Sequence, residues 1–302
     1  MSYKPFSRSA RALIAGLVLA LSGATGRAAE PVPLSAFMAL ERPTPTEIIP
    51  YGSGTVQAVD LFLPQGSGPH PVAILIHGGC WSARTDDRRQ LRDLGAELAR
   101  EGVAVWSIGY RRANEEGGGY PGMYEDVAQA IDLLRAEGPR RGLDLSRTLV
   151  AGHSAGGHLA LWAASRDRLP AASPLRRADP LIPRFVISLA GIGDLKAFAP
   201  FIPIFCGPGV EERLSPAGSR ADVSPTEMAP PKVPVLMVSG VLDRLVPPYV
   251  AHDYAQVFAR GGWPRPERVE VSGAGHFDLV TPGTPARTEV KARIVRTLGR
   301  HP

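Results

Sequence analysis

The sequence predicts an α/β protein with a mostly parallel central sheet and helices on both faces. Three observations carry this. Short apolar runs alternate with segments of helical periodicity along most of the chain, the order that builds a parallel sheet. The run Val72–Ile76 is continuously apolar, as expected of a strand buried on both faces. Hydrophobic residues make up 44% and charged residues 21%, with mean hydropathy −0.03. That balance excludes a disordered or fibrous chain and a multi-span membrane protein.

The elements follow in order. Residues 30–45 are Pro-rich and read as an extended lead-in. Val56–Leu63 alternates apolar and polar residues and reads as a strand, followed by the strand Val72–Ile76. Leu91–Glu101 has helical periodicity, and Val103–Ile108 is the next strand. In Tyr124–Glu137, Val127, Ala130, Ile131 and Leu134 share one helical face. Thr148–Ala151 is a strand followed by a helix over His158–Arg166. Phe185–Leu189 and Val235–Val238 are further core strands. Ala251–Arg260 is a helix stopped by Gly261-Gly262. Val269–Val271 is the last strand and Glu289–Leu298 the closing helix. The segment 194–231 breaks this rhythm with Pro, Gly, Ser and Phe, and is expected to form a short cap or lid, because long irregular inserts are usually functional.

The chain has 302 residues and a formal charge of +5. Four of its bases, Lys4, Arg8, Arg11 and Arg27, fall in residues 1–29, which hold no acid. Without them 30 bases face 29 acids, so the basic character is no nucleic-acid-binding face. Lys4, Arg8 and Arg11 precede an apolar run, Ala12–Leu21, and then small residues. This is the order of a secretory signal peptide over residues 1–29. Its core is too short for a bilayer, which needs about 20 residues. Residues 30–302 are expected to form one domain acting in the periplasm or outside the cell. Of the two cysteines, Cys80 sits in a tight motif and Cys206 far along the chain. They are expected to be small buried apolar residues rather than a bridge.

Gly152-His153-Ser154-Ala155-Gly156 is a G-x-S-x-G between a strand and a helix. Such a turn lifts the Ser154 hydroxyl above the strand ends, over a helix N-terminus that favours negative charge. His77-Gly78-Gly79-Cys80-Trp81 directly follows the buried strand Val72–Ile76. Glycines there let backbone N–H groups approach a ligand oxygen. The N–H groups of Gly79, Cys80 and Ala155 are the candidate oxyanion donors, with Gly78 as the alternative for one of the first two. His77 and Trp81 are expected to orient that loop. Trp81 could also stack on an aryl group of a substrate.

Seven histidines are present, and His276 in Gly273-Ala274-Gly275-His276-Phe277 follows the last strand. A loop there lands at the carboxyl edge of the sheet, where open α/β sites lie. His276 is therefore the candidate base. His153 diverges from Ser154 on the tight turn, and His158 is expected to pack. Asp243, after the strand Val235–Val238, is the candidate orienting acid, and Asp194 is its rival. A base of this kind must be neutral, so activity is expected to fall as pH drops below about 6–7.

The order Ser154, Asp243, His276, with an oxyanion loop before it, resembles the α/β-hydrolase fold over roughly residues 46–300. The resemblance is to its esterase/lipase group, hormone-sensitive-lipase-like and acyl-carbohydrate-esterase-like. The HGG-x-W motif is similar to that of kynurenine formamidases. It implies a serine esterase acting on small-molecule esters through an acyl-enzyme, with arylformamidase activity as the alternative and aminopeptidase activity behind it. No cofactor and no metal are implied: there is no H-E-x-x-H, and Gly191-Ile192-Gly193 lacks the third glycine of a dinucleotide loop. No nucleic-acid partner is expected. The stretch Phe198–Phe205 is a candidate acyl-side wall.

Overall fold

A computed structural model describes residues 30–85, 87–215 and 220–299. The signal peptide expected over residues 1–29 lies outside the described residues. In chain order the elements are α1 (Leu34–Met38), β1 (Glu47–Pro50), β2 (Ala58–Phe62), β3 (His70–Ile76), α2 (Arg92–Arg100), β4 (Ala104–Ile108), α3 (Gly122–Asp132) and α4 (Leu134–Arg140). There follow β5 (Leu143–His153), α5 (Ala155–Ser165), β6 (Val186–Leu189), α6 (Leu195–Phe198), α7 (Ile202–Cys206), β7 (Val235–Gly240), α8 (Pro248–Arg260), β8 (Glu267–Val271) and α9 (Pro285–Gly299).

The eight strands form one sheet in the order β1-β2-β4-β3-β5-β6-β7-β8. β1 and β2 are antiparallel at one edge, and every pair from β4 to β8 is parallel. Val72 to Ile76 of β3 and Leu149 to Ala151 of β5 are essentially inaccessible to solvent. Each such aliphatic side chain contributes about 1.5–3 kcal/mol on burial. β3 and β5 are neighbours in space, yet the chain visits β4 between them on the other side of β3. Their carboxyl ends therefore flank the point where the winding reverses, the place where open α/β sheets leave a crevice.

Helix α5 is buried on every side, which its sequence allows because Ala, Gly, Leu and Trp occupy all faces. It starts immediately after Ser154, three residues earlier than the periodicity suggests. β5 is likewise longer than Thr148–Ala151 and runs up to the elbow itself. Two elements escape the sequence reading. β1 holds only Ile48 and Ile49 before Pro50, a pattern tolerated at a sheet edge. The lead-in is not wholly extended, because residues 34–38 form α1, whose Phe37 is buried against the ring of Phe277.

The segment between β6 and β7 contains α6, α7 and several turns. Its anchoring to the core is polar as well as apolar. Trp162 Nε1–H of α5 donates to the carbonyl of Asp222 (2.9 Å), and Tyr124 Oη–H of α3 donates to that of Leu214 (2.9 Å). Asp194 caps α6 by accepting from the N–H of Ala197 (2.9 Å). No helix among the described residues is long and apolar enough to cross a membrane.

Candidate active site

Four strands, two on either side of β6, end around one cleft. Ser154 follows β5, the segment His77–Trp81 follows β3, Asp243 follows β7 and His276 follows β8. Register places Ile76 beside Gly152 and Gly240 beside Val271, so these loops leave the sheet at one level.

Ser154 sits at φ 56° and ψ −119°, a left-handed conformation that costs a non-glycine residue about 1–3 kcal/mol. The surroundings impose it. A Cβ on Gly156 would lie 2.1 Å from the carbonyl oxygen of Ile76, so only glycine lets α5 begin this close to β3. On the other wall, a Cβ on Gly78 would lie 2.8 Å from the His153 carbonyl oxygen and 3.2 Å from Ser154 Cβ. The loop after β3 thus lies directly against the elbow. Ala155 is the first residue of α5, where N–H groups have no intrahelical acceptor.

His276 and Asp243 are both buried, and His276 Nδ1 lies 2.7 Å from Asp243 Oδ2. The other carboxylate oxygen of Asp243 accepts from the N–H groups of Leu245 and Val246, each at 2.8 Å. The carboxylate is fixed from three directions and can hold the imidazole in the Nδ1–H tautomer, leaving Nε2 as the free base. Asp194, the rival acid, and the nearby Asp278 are both occupied elsewhere. Asp194 caps α6, and Asp278 Oδ2 accepts from Gly275 N (2.9 Å) and Val32 N (3.0 Å).

Three further histidines surround these groups, all buried. His77 Nδ1–H donates to the Gly78 carbonyl (2.8 Å) and its ring stacks on Tyr110 at 4.3 Å, while Tyr110 donates to the His77 carbonyl (2.9 Å). Burial pushes the His77 pKa down to about 4. Trp81 Nε1–H donates to His158 Nδ1 (3.0 Å), which forces the His158 Nε2–H that donates to the Val223 carbonyl (2.8 Å). His158 is also lowered by burial, to about 4. Trp81 is 1% exposed, so its indole braces the loop onto α5 rather than presenting a face for stacking. His153 Nε2–H donates to the His276 carbonyl (3.1 Å), and its ring lies 4.6 Å from that of His276. Burial and the neighbouring His276 hold it well below the usual imidazole range.

The expectation for the cysteines is overturned. Cys80 and Cys206 form a disulfide, with Cα atoms 5.1 Å apart across 126 positions. Cys80 takes φ 59° after the glycine pair, which turns its side chain towards the end of α7. The bridge ties the loop after β3 to the irregular segment. Sequence separation hid it, since nothing local signals that α7 returns to this loop.

Ser154, His276, Gly79, Cys80 and Trp81 line a common cleft of about 530 Å³. Its apolar side is made by Ile192, Phe198, Phe205, Leu245, Val246 and Phe277. Of the stretch Phe198–Phe205, only those two end residues line it; Ile202 is buried beneath and Ile204 is 71% exposed. Leu34 of the lead-in also reaches the cleft, which no local sequence signal indicated. A larger groove of about 960 Å³, at the amino-terminal ends of β7 and β8, brings none of these reactive groups together. Among the described residues no group of three or more His, Cys, Asp or Glu side chains is placed to hold a metal ion.

Comparison with known proteins agrees with this fold. The BD-FAE family model matches residues 59–199. Kynurenine formamidase of Danio rerio is 31% identical over 120 residues, 39% of this chain and 38% of that protein. Isoprenylcysteine alpha-carbonyl methylesterase of Arabidopsis thaliana is 32% identical over 116 residues, 38% of this chain and 26% of that protein. The chain thus spans well under half the length of these curated relatives. Among solved structures, a truncated carbohydrate esterase from gut microbiota superposes with TM-score 0.65 at 20% identity, covering 82% of this chain and 93% of that one. Thermogutta terrifontis esterase 2 superposes with TM-score 0.67 at 19% identity, covering 86% and 95%. The chain has the α/β-hydrolase fold, and the proteins it resembles are esterases and a formamidase by name.

Proposed function

We propose that this protein is a serine hydrolase of carboxylic esters. The observation that carries the reading is a serine held at positive φ on a strand-to-helix elbow, in one cleft with a buried His–Asp pair. Ser154 is the nucleophile, His276 the general base and Asp243 its orienting acid. His276 takes the hydroxyl proton as Ser154 Oγ attacks the ester carbonyl. The N–H groups of Gly79, Cys80 and Ala155, with Gly78 as the alternative, bind the oxyanion. Removing one such donor typically costs about 2.7–4 kcal/mol of transition-state stabilisation. His276 then protonates the leaving alcohol, and water repeats the sequence on the acyl-enzyme. His77 and Trp81 orient the oxyanion loop through the contacts described above.

The test is hydrolysis of p-nitrophenyl acetate and butyrate by the purified protein and by Ser154→Ala. Turnover by the native chain, its loss in the variant, and labelling of Ser154 by a fluorophosphonate support the reading. Retained hydrolysis in Ser154→Ala would overturn it.

Arylformamidase activity is the second reading. It is favoured by the match to the Danio rerio kynurenine formamidase and by the HGG-x-W motif. N-formylkynurenine added to the same panel separates the two. Export is a further part of the proposal. A disulfide persists in oxidising compartments, and Cys80–Cys206 fits that setting. Recovery of the protein from the periplasm or medium, with a mass lacking about 29 residues, is the expected result.

A further inference from the structure

The cleft beside Ser154 is not uniformly apolar. One wall carries Phe198, Phe205, Phe277, Leu245 and Val246, whereas the wall built from residues 79–90 carries Ser82, Arg84, Thr85 and Gln90. Arg84 is the only Lys, Arg, Asp or Glu among the described residues that line it. The neighbouring arginines are all engaged. Arg88 and Arg92 pair with Asp60, Arg89 with Asp87, and Arg112 with Glu115. Arg84 is exposed, and no carboxylate among the described residues pairs with it. Its place is nevertheless defined. A Cβ on Gly207 would lie 2.4 Å from Arg84 Nη1, so the guanidinium rests against Gly207 at the end of α7. Phe205 and the bridged Cys206 flank that point. The turn that carries Arg84 is fixed at its base, where Ala83 N–H donates to Asn114 Oδ1 (2.7 Å).

A cation on the rim of an apolar cleft, paired with none of the described acids, selects for an anion on whatever fills the cleft. Resting on the ester-hydrolase reading, we infer that Arg84 is a specificity residue for esters with an apolar body and a carboxylate remote from the scissile bond. The carboxylate pairs with the guanidinium at the mouth, and the apolar body lies along Phe198 and Phe205. An exposed pair of this kind contributes modestly, so the preference is roughly five-fold in kcat/KM and resides in KM.

The experiment compares isosteric ester pairs on the full chain. In one pair a phenyl butyrate carries a para propanoate or the neutral propanamide on its leaving group. In the other, the phenyl ester of an adipic acid chain ends in a free carboxylate or its amide. The expected result is a preference of about five-fold for the anionic member in at least one pair, falling towards one in Arg84→Gln and inverting in Arg84→Glu. It should also shrink between about 20 mM and about 500 mM salt. Equal kcat/KM within both pairs, or a preference that survives Arg84→Gln, overturns the inference and leaves the hydrolase reading intact. Turnover of none of the four esters overturns both.

Discussion

The imidazole of His153 donates a hydrogen bond to the carbonyl of His276, joining the residue before the proposed nucleophile to the proposed base 123 positions later. Both rings are buried and lie 4.6 Å apart. The bond fixes the backbone of the β8 loop relative to the elbow. His153 is therefore a positioning residue, because it acts through the placement of His276. His153→Ala should lower kcat about ten-fold with little change in KM, since misplacing a base by a fraction of an ångström affects the transition state more than ground-state binding. His153→Gln, which keeps a donor, should recover part of the loss. Steady-state kinetics on p-nitrophenyl butyrate check this, and a rise in KM with unchanged kcat would count against it.

How much of this was legible in the sequence follows from what each feature depends on. The elbow was readable because Gly152 and Ser154 are dictated by the geometry of the turn itself: a Cβ on Gly152 would lie 1.9 Å from the Gly156 carbonyl oxygen, and such a turn leaves a local signature. Asp243 and His276 were readable because each follows an apolar strand, and strand ends in a parallel sheet converge. The bridge from Cys80 to Cys206, the brace from His153 and the approach of Leu34 and Phe37 over the β8 loop were not. Each is a contact between segments remote in sequence, and neither composition nor periodicity encodes which remote segment returns. The sequence left Trp81 open between stacking and bracing. Its bond to His158 decides for bracing, a partner that only the packing of α5 against the loop reveals.

Reduction of the Cys80–Cys206 bridge should cost both stability and rate. The bridge spans 126 positions, and closing a loop of that order stabilises by about 3–5 kcal/mol through the unfolded chain. Urea denaturation with and without a dithiol reductant measures that loss. Cys80 is also a candidate oxyanion donor, so freeing its loop should lower kcat. Cys206→Ser, which leaves the loop's own sequence untouched, should reproduce both effects. Unchanged kcat in Cys206→Ser at a temperature where it remains folded would show that the loop holds its shape without the tether.

Asp243→Asn tests the orienting role separately from charge burial. The amide still accepts from Leu245 and Val246 through its oxygen, so the turn survives. Its NH₂ then faces His276 Nδ1 and stabilises the tautomer with the proton on Nε2, which cannot accept from Ser154. A fall in kcat of about 10³–10⁴ is expected, with the protein folded by circular dichroism. A loss under ten-fold would point to another acid as the orienting group.

The buried histidines make a stability prediction whose sign is fixed by their environment. His77 and His158 titrate near 4 in the folded chain, and His153 is also well below the ordinary 6.5. Between pH 6.5 and about 4 the unfolded chain therefore binds more protons than the folded one. Stability falls as pH drops through that window, by about 1.4 kcal/mol per pH unit for each fully shifted histidine. Urea midpoints measured at steps from pH 7 to pH 4.5 should decline steadily. His158→Gln retains an acceptor for Trp81 Nε1–H and a donor for the Val223 carbonyl but cannot titrate. It should flatten the decline by up to about a third, one of three such groups. An identical slope in His158→Gln would mean that His158 gains its proton over the same pH range folded as unfolded, not at the lowered pKa that burial gives it. Its Nδ1 would then carry a proton against the Trp81 donor, which the observed bond does not allow.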